Sequence, residues 1–478
     1  MRRTRVMMVL AGAVAASCAA SLAVMAAPAF GAAAWAGGWD KAIEVPGLAR
    51  LSAGQGGTLV AVSCSSPGDC AATGNYADRL GRSQAFVVGE KNGWWGTAIE
   101  VPGLAALNTG GDAGVSSLSC VPAGNCAAVG SYSTSSRRGR AFVVSETSGS
   151  WGKAIQVPGV VALSGAKGSS WVGAVSCGSA GNCAAGGSYS NSSGEQAFVV
   201  SETNGSWGRA IEVPGLAALN NGAYAGVDSV SCASAGNCAV TGYYDNGAPE
   251  AFVVSETNGS WGRAIEVPGS AAFGISTFAS VSCASAGNCA AVGYSGSPID
   301  SASAGPLAVS EKNGAWGKAI SVPGTTATAI NGAVSVSCGS PGNCVAGGNQ
   351  APIIYGPYQA FVVSQKNGLW GKATGIPGLA ALNAGGNAEV LSVSCESARN
   401  CSAGGYYQDG SGHQQAFVAS ENNGRWGTAV EVPGSGALNA GGFAAVGSVS
   451  CTWAGYCAAI GSYTNRSGTG EAFIVSRT

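Results

Sequence analysis

Residues 228–269 read DSVSCASAGNCAVTGYYDNGAPEAFVVSETNGSWGRAIEVPG. Four apolar runs, DSVSC, CAVTGYY, EAFVVSE and SWGRAIEVPG, are separated by turn residues, the pattern of four short strands. Asn258-Gly259 joins the third run to the fourth, and Asn-Gly is the strongest short hairpin signal. The same dipeptide returns at Asn92, Asn204, Asn313, Asn367 and Asn423.

Outward from this stretch the pattern repeats eight times with a period of about 56 residues, the mark of a propeller or solenoid. Cysteines fall in evenly spaced pairs: Cys64 with Cys70, Cys120 with Cys126, Cys177 with Cys183, Cys232 with Cys238, Cys283 with Cys289, Cys338 with Cys344, Cys395 with Cys401 and Cys451 with Cys457. Tryptophans keep step at Trp39, Trp95, Trp151, Trp207, Trp261, Trp316, Trp370 and Trp426. A four-stranded antiparallel unit repeated radially is a propeller blade. The expectation is an all-β protein, a single eight-bladed β-propeller over residues 36–478. Its first run, Trp39 to Pro46, reads as a fourth strand, and its last, Glu471 to Ser476, as a third. The N-terminal strand is therefore expected to complete the last blade and close the ring, which removes two exposed sheet edges.

Each cysteine pair brackets a turn, so a disulfide within one hairpin is the first reading. The rival is a metal site, but two thiols without neighbouring histidines make a poor zinc ligand set. His413 is the one histidine in the chain, which excludes chemistry that needs two imidazoles. No metal and no cofactor are expected.

Arg2, Arg3 and Arg5 precede an Ala/Val/Leu/Met run and then small residues around Ala27 to Gly31, so residues 1–33 read as a secretory signal peptide. Cys18 offers a lipid-anchored alternative. Export into an oxidising compartment agrees with disulfides. Charged residues make up only 10% of the chain and the net charge is −1, which leaves no basic field for nucleic acid. After the leader, no run reaches the 18 or more apolar residues that mark a membrane-spanning helix.

The recurring Trp, followed by Gly in every copy but the first, reads as packing between blades rather than as a binding platform. Lys153, Arg209, Arg263, Glu100, Glu212 and Glu266, on the outermost run, read as solvated charges that discourage edge-to-edge pairing.

At Ser201 to Gly208 and Ser255 to Gly262 the segment SETNGSWG resembles the Asp-box (BNR) hairpin of sialidase-like secreted propellers. The Trp-bearing hairpin, with Ala197 ten residues before Trp207, is also similar to that of eight-bladed quinoprotein dehydrogenases. The resemblance implies blade geometry. Thr203 and Asn204 stand near the place of the Asp-box aspartate, the sialidase arginine triad has no match, and neither a vicinal cysteine pair nor a calcium-binding acid cluster is present. The catalytic residues of those families are therefore not carried over.

The loops that differ between copies share one face of the ring, where binding is expected. Six residues past the second Cys of a pair stand Tyr76, Tyr132, Tyr189, Tyr244, Tyr407 and Tyr463, with Ser295 and Gln350 at the two remaining positions. They read in two ways: as a ligand-binding ring for sugars or a protein, or as caps on their own blades. Tyr243, Tyr294, Tyr355, Tyr358 and Tyr406 lie beside them. The functional expectation is a secreted or surface-associated, non-catalytic binding or scaffold propeller, monomeric, with carbohydrate or an extracellular protein as partner. The alternative is a glycan-cleaving hydrolase or lyase using acids among Asp78, Asp112, Glu195, Asp228, Asp245, Glu250, Asp300, Glu389, Asp409 and Glu471 at the central channel.

Overall fold

The computed structural model describes residues 38–478 apart from 223, 297–304, 326–331 and 352–355. The signal-peptide segment, Cys18, Asp300 and Tyr355 lie outside the described residues. Eight antiparallel sheets follow one another in the chain and form the eight blades of a closed propeller. Blade 4 shows the plan: an inner strand Ala225–Ser234, then Asn237–Asp245, then Pro249–Thr257, then an outer edge made of Ser260–Trp261 and Ile265–Glu266. Blade 8 takes its first three strands, Ala444–Cys451, Cys457–Thr464 and Gly470–Arg477, from the C-terminal end. Its fourth is Ile43–Glu44, with Ile43 opposite Ile474 and Glu44 opposite Phe473. The ring closes as the repeat pattern predicts.

The fourth strand differs from the single run read in the sequence. In blade 3 it is two short pieces, Ser206–Trp207 and Ile211–Glu212, both paired to the third strand. The break has a cause, because the Ala210 N–H leaves the ladder and donates to the Pro158 carbonyl of the blade before (2.7 Å). The same bond forms at every seam, from Ala42 to Pro433, Ala98 to Pro46, Ala154 to Pro102 and so on around the ring, at 2.7–2.8 Å. A second departure from the sequence reading follows Val-Pro-Gly. In seven blades a glycine with φ of 77–83° admits a single helical turn, such as Leu104–Leu107, whose first residue is buried.

The core lies between blades. Ala-Phe-Val-Val on the third strand is apolar on both faces, so one face packs back and the other forward. Phe198 and Val200 join Val129 and Val143 of blade 2, while Ala197 and Val199 join Val227 and Tyr244 of blade 4. Gly242 makes room for this arrangement, since a Cβ there would lie 2.6 Å from the Phe252 ring. Trp207 is half-buried against the seam of blades 2 and 3, the packing role expected of it.

Inner strands pose the harder problem. Their free edges face the next blade without a ladder partner, and buried N–H groups need acceptors. The triplet Val/Leu-Ser-Cys on each inner strand answers this. Ser63 Oγ accepts from the Cys120 N–H, and the pattern continues through Ser119 and Cys177, Ser176 and Cys232, Ser231 and Cys283, Ser282 and Cys338, Ser337 and Cys395, and Ser394 and Cys451. Ser450 and Cys64 close the circle. All eight distances are 2.8–3.0 Å.

Two residues earlier a second circle is incomplete. Serines 117, 229, 280, 335, 392 and 448 each accept from the next blade's inner strand. Blades 1 and 3 carry Ala61 and Ala174 at this position, facing Leu118 and Val230.

Replacing Ser231 by Ala leaves the Cys283 N–H without its acceptor, at an expected cost of about 1–2 kcal/mol in denaturant unfolding. Ala61→Ser supplies the missing acceptor for Leu118 and is expected to add about 0.5–1 kcal/mol. Equal unfolding midpoints for all three proteins would show that the serine circle adds nothing to stability.

Candidate functional site

All eight cysteine pairs form disulfides, each joining directly opposed residues of the first and second strands, with Cα atoms 3.9–4.1 Å apart. The disulfide turn and the Asn-Gly turn of one blade meet on one face, as in the bond from Gly205 N to Gly181 O (2.8 Å). The variable loops occupy the opposite face.

The six tyrosines singled out in the sequence do not present a stacking platform. Tyr76, Tyr132, Tyr189, Tyr244, Tyr407 and Tyr463 are only 1–6% exposed, their rings packed into the seams between blades. Their hydroxyls tie strands of their own blade together: Tyr189 donates to Glu212 (3.0 Å), Tyr407 to Glu431 (3.0 Å), Tyr463 to Glu44 (2.8 Å) and Tyr244 to Glu250 (2.6 Å). Burial pushes the Tyr76 phenol up to about 12, with Glu100 beside it adding to the shift. Several outer-edge glutamates that read as free surface charges are thus acceptors for buried phenols.

One residue earlier in the second strand the side chain points to the other side of the sheet. There stand Tyr243, Tyr294 and Tyr406 of blades 4, 5 and 7, opposite Gly226, Thr277 and Glu389 at the start of the inner strands. Trp171 holds the matching inner-strand place in blade 3, opposite Ser188. Because inner strands of successive blades pack side by side, these positions form an arc at the mouth of the channel on the loop face. Trp171 is 40% exposed, Tyr224 38% and Tyr294 36%. Tyr224 and Tyr243 face each other with ring centroids 6.3 Å apart, tilted by 53°. Across the mouth, blades 8, 1 and 2 offer Ser462, Asn75 and Ser131.

Carboxylates accompany the aromatic arc. Tyr406 donates to Glu389 (3.1 Å), whose carboxyl is raised by burial. Tyr243 hydrogen-bonds Glu195 and lies close to Asp228, and burial together with these acids lifts its phenol to about 12. Asp228 sits at the bulge of its inner strand, where burial raises its carboxyl to about 7. The other proposed acids are engaged elsewhere or exposed. Asp78 pairs with Arg82 (2.7 Å), Asp409 caps a loop at Ser411 and His413, Glu250 holds Tyr244, Asp245 accepts from Gly247, Glu471 lies near Glu44, and Asp112 is exposed. Arg138 and Arg140 bind backbone carbonyls between residues 166 and 168. Among the described residues no three His, Cys, Asp or Glu gather as a metal site, and no helix is long and apolar enough to cross a membrane.

The regular tyrosines singled out as the ring are the buried ones, while Tyr243, Tyr294 and Tyr406, noted beside them in the sequence, lie on the other side of the sheet. Trp171, an aromatic where other copies carry Thr58, Gly114, Gly226, Thr277, Glu389 and Ala445, was missed altogether, and that departure was its only signal.

No protein-family model and no curated protein matches this chain. Solved structures do. Chaetomium thermophilum Sqt1 bound to the N-terminus of the ribosomal protein L10 is 11% identical with a TM-score of 0.50, covering 89% of this chain and 97% of that one. The β-propeller domain of the Trilobed protease from Pyrococcus furiosus is 7% identical with a TM-score of 0.43, over 79% and 98% of the two chains. The Hadza microbial sialidase Hz136 is 8% identical with a TM-score of 0.37, over 70% and 68%. At such identities the likeness extends to the propeller fold alone.

Burial raises Asp228 and, on the turn face, Glu90, Glu202, Glu256, Glu311 and Glu421 above their ordinary values. A carboxyl raised by folding binds its proton more tightly in the folded state. Its contribution to stability is complete below the unfolded pKa, about 4, and is lost as pH rises through the folded value. Asp78 and Asp409, lowered chiefly by Arg82 and Gln415 respectively, lose their contribution only below about 4. Tm is therefore expected to be higher at pH 5 than at pH 8. Asp228→Asn should raise stability at pH 8, on the order of 2 kcal/mol after discounting for partial solvent contact, with a smaller gain at pH 5 that vanishes below about pH 4. A flat Tm across this range would contradict the assignment.

Proposed function

We propose that this chain is an exported, disulfide-stapled binding propeller that holds a carbohydrate at the aromatic mouth of its loop face. The carrying observation is the arc of Trp171, Tyr224, Tyr243, Tyr294 and Tyr406, flanked by Glu195, Asp228 and Glu389. Exposed aromatic faces stack on the apolar side of a sugar ring, and carboxylates accept from its hydroxyls. The acidic surroundings favour neutral or amino sugars over acidic ones. Export rests on the leader-like first 33 residues together with eight disulfides, which persist in oxidising surroundings.

A second reading has one observation in its favour. Asp228, raised to about 7, and Glu195 both lie beside Tyr243, and two carboxyls held in different environments are the arrangement of acid–base glycan cleavage.

Retention on immobilised cell-wall and extracellular polysaccharides tests both. Trp171→Ala and Tyr294→Ala are expected to weaken retention about tenfold each, equivalent to about 1.4 kcal/mol, with Tm unchanged. Tyr189→Phe should instead lower Tm and leave retention intact. Retention that survives both mouth substitutions, or none on any polysaccharide, would turn the search to protein partners. Release of reducing ends that stops in Asp228→Asn would establish the cleaving enzyme.

A further inference from the structure

On the turn face, far along each blade from the mouth, three seams repeat one small motif. The serine that follows Ala-Phe-Val-Val in one blade meets the glutamate and tryptophan of the next. Ser145 donates to Glu202 (2.7 Å) and accepts from Trp207 Nε1 (3.0 Å). Ser201 does the same for Glu256 and Trp261, and Ser255 for Glu311 and Trp316. A single hydroxyl thus satisfies a carboxylate and an indole at once.

Blade 1 breaks the motif. Its third strand reads Ala-Phe-Val-Val-Gly-Glu, with Gly89 where the serine belongs. Glu146 and Trp151 of blade 2 therefore lack that hydroxyl, and among the described residues no side chain takes its place. Glu146 shows the effect: its counterparts Glu202, Glu256 and Glu311 are 4% exposed and buried, whereas Glu146 is only half-buried. Its carboxyl is raised to about 7 by desolvation, with no hydrogen bond to offset it. The volumes agree. Between blades 1 and 2 lies a solvent-open cleft of about 600 Å³ lined by Gly89, Glu146, Lys91 and Asn92 among others. At four of the seams that keep their serine the clefts are smaller, about 30, 230, 250 and 10 Å³ at Ser145, Ser201, Ser255 and Ser364. Buried indoles at Trp39, Trp95 and Trp426 also lack a bond, but there Ser420, Ser476 and Ser364 still stand at the equivalent place in the preceding blade.

We infer that the cleft between blades 1 and 2 is a second binding site, which takes a neutral polyhydroxylated ligand of sugar size, one hydroxyl replacing that of the missing serine. The chemistry selects a hydroxyl. A hydroxyl in the serine's place can donate to Glu146 and accept from the indole, as the serine does at three other seams, whereas an ammonium has no acceptor. Lys91 and Asn92 supply further polar contacts around it. The volume falls within the range of small-molecule pockets.

Gly89→Ser is the natural occlusion. A Cβ at Gly89 meets no atom within 4 Å, so the side chain enters open space and rebuilds the motif seen at the other seams. Calorimetric titration with a panel of neutral disaccharides (cellobiose, maltose, lactose and chitobiose) is to be run in the Trp171→Ala, Tyr294→Ala double variant, in which binding at the mouth is expected to fall about a hundredfold. Binding of at least one disaccharide is expected. Gly89→Ser should weaken it at least about tenfold while raising Tm, and Glu146→Gln should weaken it with Tm held or raised. Binding that Gly89→Ser leaves unchanged overturns the inference, as does the absence of binding by the whole panel.

Discussion

A radial sheet has an inner edge that no strand can cover, and in this protein the whole ring depends on how that edge is satisfied. Eight inner strands converge, each with N–H groups aimed at the preceding blade and no ladder to receive them. One serine per blade accepts that bond, and the circle from Ser63 round to Ser450 returns to Cys64. A small hydroxyl suits the place because strands at the axis are too close for longer acceptors. The Ala-to-Pro bonds at the outer edge repeat the solution at larger radius. Between the two circles lie Phe, Val and Trp, so polar closure at both radii encloses the apolar seams.

Blade number, disulfide pairing and ring closure were legible in the sequence because each is written by spacing, and spacing survives any change in loop length. The broken outer strand was not legible. Nothing in Trp-Gly-Arg-Ala-Ile says that the Ala N–H will bond to another blade, since its partner, Pro158 in the case of Ala210, lies some fifty residues away. The serine circle was present in the sequence as Val-Ser-Cys, but a serine beside a cysteine carries no propensity that separates it from its surroundings.

The tyrosines show where regularity misleads. Tyr243 and Tyr244 are neighbours on one strand, and alternation sends one to the mouth and the other into the seam. The repeated tyrosine is scaffold for the same reason that it repeats: every seam offers it the same pocket and a nearby glutamate. Positions that vary, such as Trp171 opposite Ser188 or Gly89 in place of serine, are where the eight copies cease to be equivalent. At such positions one blade can offer contacts that the other seven do not.

The shared blade also sets an order in time. Ile43–Glu44, among the first residues of the propeller to be made, has no partner until Gly470–Arg477 exists. Seven blades can form from local hairpins as they emerge, each held by its own disulfide, but the seams at blade 8 wait for the last residues and for a contact spanning nearly the whole chain. Such a contact is slow to find. Until it forms, the nascent protein is an open arc with two bare edges, so the interval between completion and closure is when this chain is most exposed to pairing with another copy of itself.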